Sequence, residues 1–341
     1  MLSRIDRLAY HSQHFTFLVN ATVMEETARL LSRNPRPHIP FVAWKTLRER
    51  RNELHKRDLA NVNAGYYPRD LLFDFPVRRY LREFPRLVLD APNVVRRMRK
   101  NGFKEIPDVD KERFPPYYRR TFHWQTDGYF SDFSAQVYEL GVELLFRGTA
   151  DVMRRQVIPP IGNLVRKTEG GAAKMKLLDI GCGTGRTLHQ IARTHPQMRL
   201  HGCDLSPNYI KLARKRLEDV AELTLAVENG EALPWADNTF DVVTSTYMFH
   251  ELPRNARRNV VREMFRVVRP GGLCVIEDSA QASESPELAE VLLAFPAEFH
   301  EPFFADYLRD DLASILVDVG FSVGETQAHL VSKVVIATKP E

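Results

Sequence analysis

Along the last half of the chain the apolar positions fall into short runs near 176–180, 199–204, 223–228, 240–245 and 272–278. Each run has the length of a strand, and the stretches between the runs favour helix. Strands that alternate with helices lie parallel in one sheet, because the crossover helices must return the chain to the same edge. The tail differs. A helix is expected over 309–319, stopped by Gly320, and the runs 321–326 and 331–338 follow with only a short connection. Two strands joined so closely must be antiparallel. Upstream the pattern is helical. Residues 1–60 read as helices broken at Asn34-Pro35-Arg36-Pro37, and 61–120 as irregular and proline-punctuated, with short helical pieces such as 76–81. Val137, Leu140, Val142, Leu144 and Leu145 recur at helical spacing, predicting an amphipathic helix over 134–146. A second helix is expected over 148–158, ending before Pro159-Pro160. The chain thus divides into a mainly helical region, 1–164, suited to a cap or substrate-binding part, and an α/β domain, 165–341.

The first strand of that domain carries the chemistry. It runs through Leu177-Leu178-Asp179-Ile180 into Gly181-Cys182-Gly183-Thr184-Gly185. Glycine at every second position lets backbone pass close beneath a nucleoside-type ligand where a Cβ would collide. The spacing is G-x-G-x-G, which differs from the dinucleotide fingerprint and argues against a nicotinamide dehydrogenase. About twenty residues on, a second strand ends in Asp204, placed to accept both ribose hydroxyls. Ser206-Pro207 then opens a helix, serine as cap and proline at the first helical position.

Three further segments follow in order: Val227-Glu228-Asn229-Gly230-Glu231, Thr239-Phe240-Asp241-Val242-Val243-Thr244-Ser245-Thr246, and Arg269-Pro270-Gly271-Gly272-Leu273 leading into a buried strand. Together the five segments resemble the motifs of the class I S-adenosylmethionine (SAM) dependent methyltransferases, in the style of the ubiquinone and menaquinone C-methyltransferases. The resemblance covers residues from about 170 to 341. It implies a Rossmann-like fold whose seven-stranded, mostly parallel sheet has a reversed last strand. It also implies SAM as cofactor, held by Asp179, Gly181, Cys182, Gly183, Thr184, Gly185, Asp204, Leu205, Asn229, Gly230, Glu231 and Thr246. Asn229 stands where the family has an aspartate, and its amide can still pair with an adenine edge. Trp235, at a strand-to-loop transition, could line the adenine pocket or pack in the core, and core is the preferred reading.

Methyl transfer is an in-line displacement that depends mostly on orientation, with a base needed only when the acceptor arrives protonated. The run after strand four contains His250 and Glu251, the best-placed titratable pair. Two other clusters are candidates for the acceptor side. One is 115–129, dense in aromatic and hydrogen-bonding side chains, including His123 and Tyr129; it could close over the cofactor as a lid. The other is 299–304, with His300 and Glu301. Phe114-Pro115-Pro116-Tyr117 looks like the motif of amino-directed methyltransferases, but it lacks the polar first residue and precedes the glycine loop.

Composition narrows the remaining choices. No apolar run reaches the length of a membrane helix, and no secretory pattern opens the chain, so a cytoplasmic protein is expected. Cys182, Cys203 and Cys274 lack metal-ligand spacing, and no metal is expected. Residues 1–120 hold 25 Lys and Arg against 14 Asp and Glu, a net of +11, which leaves −7 for the rest. The clusters are 48–51, Arg78-Arg79-Arg82-Arg86 and Arg96-Arg97-Arg99-Lys100. Either these are solvated helix faces and internal partners, or they mark an anionic partner. The leading expectation is a methyltransferase acting on a small or medium-sized molecule. A methyltransferase on RNA or another polyanion, and a SAM-binding protein without catalysis, are the alternatives. The acceptor and the oligomeric state are not legible in the sequence.

Overall fold

The computed structural model describes residues 1–32, 39–75 and 77–341. Among them, seven strands form one sheet: β1 (Lys176–Ile180), β2 (Arg199–Asp204), β3 (Leu223–Val227), β4 (Phe240–Thr246), β5 (Val268–Ser279), β6 (Ser322–His329) and β7 (Ser332–Thr338). Their order is β3-β2-β1-β4-β5-β7-β6. β1 to β5 are parallel neighbours, and β7 runs antiparallel to both β5 and β6. The order reverses between β1 and β4, which places a cleft at the carboxyl ends of those strands.

Alternation along each strand sorts side chains to the two faces. Leu177, Leu200, Val242 and Val275 pack on one face with Leu188 and Ile191 of α7 (Arg186–Thr194) and Ile210 of α8 (Pro207–Arg216). Leu2, Tyr10, Leu59 and Tyr67 from the N-terminal region join that same core. Leu178, Ile180, Val243 and Ile276 point to the opposite face, covered by α9 (Arg254–Val267) and α12 (Leu312–Val319). Ser206 caps α8 by accepting from the Tyr209 amide (3.3 Å), with Pro207 next. Gly320, at φ +114°, ends α12 in the left-handed conformation.

The helices before the sheet are α1 (Arg4–Ser32), α2 (Phe41–Asn63), α3 (Val77–Lys100), α4 (Asp132–Leu145), α5 (Ala150–Arg154) and α6 (Ile158–Lys167). Four expectations need correction here. Within 61–120, expected to be irregular with short helical pieces, residues 77–100 form one helix, α3, with Pro85 and Pro92 inside it. The prolines are two turns apart on the exposed side, so the carbonyls they release, of Leu81 and Val88, belong to exposed residues. Pro159-Pro160 open α6 instead of ending its predecessor, since proline needs no partner for its nitrogen in the first turn. β5 begins at Val268, and Arg269 to Gly272 form a bulge within it opposite Asp241. α12 begins only after Asp311, which accepts from the Ser314 amide (2.8 Å). The expected break at 34–37 lies outside the described residues.

Buried arginine–carboxylate contacts tie the N-terminal region to the sheet. Arg186 of α7 bonds Asp151 and Asp74, and Arg216 of α8 bonds Glu139 of α4. Inside the N-terminal region Asp58 accepts from Arg155 (2.9 and 2.6 Å), Tyr10 (2.7 Å) and Tyr67 (2.6 Å).

Candidate active site

The loop after β1 turns through Gly181 and Gly183, both at positive φ (+69° and +54°). A Cβ on Gly181 would sit 2.6 Å from Met248 Sδ, whereas one on Gly183 would meet nothing nearer than Tyr209 at 4.0 Å. Gly183 therefore faces open space in the cleft and is glycine for its conformation. Its amide donates to Asp204 Oδ2 (2.9 Å), and the Ser206 amide donates to Asp204 Oδ1 (2.8 Å). Each carboxylate oxygen keeps a further lone pair for a hydroxyl. Burial pushes the Asp204 carboxyl up to about 6, and the two amide bonds work against that rise.

One cavity brings these pieces together. Its wall includes Gly181, Gly183, Asp204, Leu205, Asn229, Gly230, Thr246 and Glu251, all singled out from the sequence. Glu228 and an aromatic set, Tyr117, Tyr118, Phe122, Tyr138, Tyr209 and Tyr247, were not. Tyr117 and Tyr118 lay in a cluster picked for its aromatics, and Tyr247 directly follows β4, so these had a signal. Tyr138 and Tyr209 read only as helix positions. Other expected cofactor residues take supporting places. Asp179 is buried and accepts from the Thr244 hydroxyl (2.8 Å). Thr184 bonds Glu139 and Arg216, and Gly185 packs against Ala213 and Leu217 of the α8 region. Cys182 is buried in the core. Glu231 accepts from Tyr117 (2.6 Å) and from Asn259 (2.9 Å). The Asn229 side-chain oxygen accepts from the Glu231 amide (3.0 Å), so its amide NH2 is what remains for a ligand. Trp235 packs edge-on against Phe240, as core.

The segment 117–129 closes the cavity from above. Its backbone is held in an unusual shape: His123, Trp124 and Asp127 all have positive φ (54°, 57° and 64°). Such residues cost roughly 1–3 kcal/mol each and persist only where surroundings impose them. Here the Thr121 amide donates to Phe103 O (2.9 Å), Arg97 Nε donates to Trp124 O (3.0 Å), and Ser206 Oγ donates to Tyr129 O (2.5 Å).

This lid carries His123 and Tyr129 to Glu251. Tyr129 donates to Glu251 Oε1 (2.6 Å), and His123 Nε2 lies 3.2 Å from the same oxygen. His123 Nδ1 lies 3.1 Å from Glu301 Oε1, and His250 Nε2 is 3.9 Å from that oxygen. His250 Nδ1 meets Asp278 Oδ1 at 2.7 Å. Five of the six candidates for the acceptor side thus converge. The exception is His300, whose ring stacks between Phe103 and Trp124, away from Glu251. Its neighbour in sequence points inward because His300 itself sits at positive φ (48°) at the end of α10 (Ala289–Phe299). Asp278 was missed, although an acid at the tip of β5 repeats the pattern of Asp204 at the tip of β2.

Burial alone would lower the pKa of His123 and of His250. The charges of Glu301 and Glu251 outweigh it at His123 and raise it, and Asp278 raises His250 to about 10. Burial raises the Glu301 carboxyl, with both histidines opposing. His123, Glu251 and Glu301 lie close enough to hold a metal ion. The imidazole meets the two carboxylates through its two ring nitrogens, at 3.2 Å from Glu251 and 3.1 Å from Glu301. The arrangement suits an imidazolium between two carboxylates.

A family model described as a methyltransferase domain matches residues 177–272. The O-methyltransferase rstn1 of Aspergillus nomiae is 31% identical over 183 residues, 52% of this chain and 76% of that one. The chain belongs to the class I SAM-dependent methyltransferases. The ubiquinone/menaquinone biosynthesis C-methyltransferase UbiE of Desulfotalea psychrophila is 30% identical over 148 residues, 43% of this chain and only 56% of its own length. A solved O-methyltransferase family protein from Burkholderia thailandensis aligns with a TM-score of 0.43 at 20% identity, over 60% of this chain and 63% of that chain. SAM is the cofactor of this methyltransferase, and the cleft fits it. The glycine loop leaves the space a Cβ would fill, and Asp204, Glu228 and Glu251 set carboxylates around a cavity that must take a sulfonium cation. Among the described residues, no helix is long and apolar enough to cross a membrane.

Proposed function

We propose that this methyltransferase acts on a small aromatic or enolic acceptor bearing an acidic hydroxyl, and that Glu251 removes its proton. Bound SAM supplies a methyl group made electrophilic by its sulfonium. The carrying observation is that Glu251 lines the cavity while its Oε1 is fixed by Tyr129 and His123. A carboxylate so oriented accepts the hydroxyl proton and becomes a carboxylic acid, leaving an oxygen nucleophile. His123, Glu301, His250 and Asp278 lie behind it in a contiguous series and can redistribute that charge. The aromatic walls favour a flat acceptor and exclude water. In this reading residues 1–164 serve as the cap, since the lid belongs to them, and 165–341 hold the cofactor. Thr246 and Leu205 line the cofactor side, and Glu231 anchors the lid through Tyr117.

The test uses isotopically labelled SAM with a panel of phenols, enols and amines. Methyl transfer to hydroxylated acceptors is expected. Glu251→Gln should lower kcat by about 10²–10⁴ while SAM affinity stays within a few-fold. Transfer to amines alone, or an unimpaired Glu251→Gln enzyme, would refute the proposal.

A further inference from the structure

A surface helix normally turns its apolar stripe inward. α1 and α3 do the reverse. The buried positions of α1 include Asp6, Tyr10, His14 and Ala21. Ile5, Leu8, Phe15 and Val19, spaced by threes and fours through Ser12, form a stripe on the opposite side and are all exposed, Ile5 and Leu8 at 78% and 73%. α3 buries Tyr80, Glu83 and Arg97, and displays Val77, Leu81, Phe84 and Val88. At about 100° per residue, Arg78, Arg82 and Lys100 follow that stripe about a third of a turn further round, on the flank away from the core. These three make no ion pair among the described residues, unlike Arg79, which bonds Glu83 and Glu139 inside. Arg4 and Arg7 lie beside Ile5 and Leu8. The two helices are neighbours on α4: both pack against it, and Phe17 of α1 and Tyr80 of α3 touch the same ring, Phe75.

We propose that this face is a docking surface for an anionic lipid bilayer, with both stripes in the acyl boundary and the arginine row at the headgroup phosphates. Long helices with an apolar stripe rich in Phe and Leu beside a basic flank have the form of interfacial helices. Charge decides between occupants. A second copy placed face to face would set Arg78 and Arg82 against their own like, whereas an anionic surface satisfies the apolar stripe and the basic flank together. The surplus of +11 in residues 1–120 points the same way.

Sedimentation of the full chain with vesicles tests this, using phosphatidylcholine alone and phosphatidylcholine mixed with phosphatidylglycerol. Binding to the mixed vesicles is expected, with little to the neutral ones, and it should weaken as salt rises. Arg78→Glu with Arg82→Glu should reduce binding by at least about thirtyfold. Leu81→Glu should abolish it while leaving thermal stability unchanged, since Leu81 is 70% exposed. Absence of vesicle binding, equal binding to both compositions, or a solution dimer that Leu81→Glu converts to monomer would overturn the proposal. The last result would assign the face to a second copy.

Discussion

Replacing Asp179 by asparagine should stabilise the cofactor-free protein, and increasingly so as pH rises. Asp179 lies between β2 and β4, 1% exposed. Burial pushes its carboxyl from 3.8 up to about 7, the Thr244 hydroxyl opposing and the charge of Asp204 adding to the rise. A folded pKa raised by that much corresponds to roughly 4 kcal/mol between the two protonation states. The sign follows from linkage: the favourable contribution is fully present below 3.8, where the carboxyl is neutral in both states, and is lost as pH rises through 7. Asparagine never ionises and can still accept from Thr244. The net gain should be about 4 kcal/mol at pH 8.5 and about 1 kcal/mol at pH 4.5. Urea denaturation of both proteins across that range, without SAM, measures it. A difference that stays constant or shrinks with pH would refute the burial argument. Calorimetry with SAM should move the other way, Asp179→Asn binding more weakly at pH 8, because a carboxylate two residues before Gly181 of the glycine loop is lost. Stability would thus be traded for binding at one carboxylate.

Three other outcomes are expected. Arg155→Met should cost about 3–5 kcal/mol, because it strands the fully buried Asp58 carboxylate with only two tyrosine hydroxyls; adding Asp58→Asn should recover part of that in the same urea titration. Tyr117→Phe removes the 2.6 Å bond that anchors the lid to Glu231, and the SAM Kd should rise about 3–10-fold with little change in Tm. His14 and His55 are held neutral by burial, at about 4 and about 3. Their contribution is therefore present above 6.5 and lost as pH falls from 6.5 toward 4; His14→Gln should flatten that part of the stability–pH curve.

The sheet was legible because its signals are local. Leu177 and Leu178 alternate between faces within one strand, Gly181 and Gly183 announce a left-handed turn, and Asp204 is set by its distance from them. The lid was legible only as a composition, since nothing near His123 says that it will meet Glu251, 128 residues away, or Glu301. That meeting depends on backbone held at positive φ by Phe103, Arg97 and Ser206, contacts between segments with no common pattern. His300 shows the reverse failure: the residue beside Glu301 was equally attractive, and a single left-handed turn sends it to Phe103 and Trp124. α3 escaped notice because two prolines normally forbid a helix, and tertiary contacts such as Arg79 to Glu139 override that preference.

Ser206 belongs to three structures at once. Its amide holds Asp204, its hydroxyl accepts from Tyr209 at the start of α8, and the same hydroxyl donates to the carbonyl of Tyr129, whose phenol sits on Glu251. A single small residue thus links Asp204, the proposed ribose clamp, with Glu251, the proposed base. Five steps, three hydrogen bonds and two covalent links, join one to the other without passing through the sheet. If Asp204 holds the donor and Glu251 faces the acceptor, as proposed, seating the donor would pull on the same thread of bonds that orients the base.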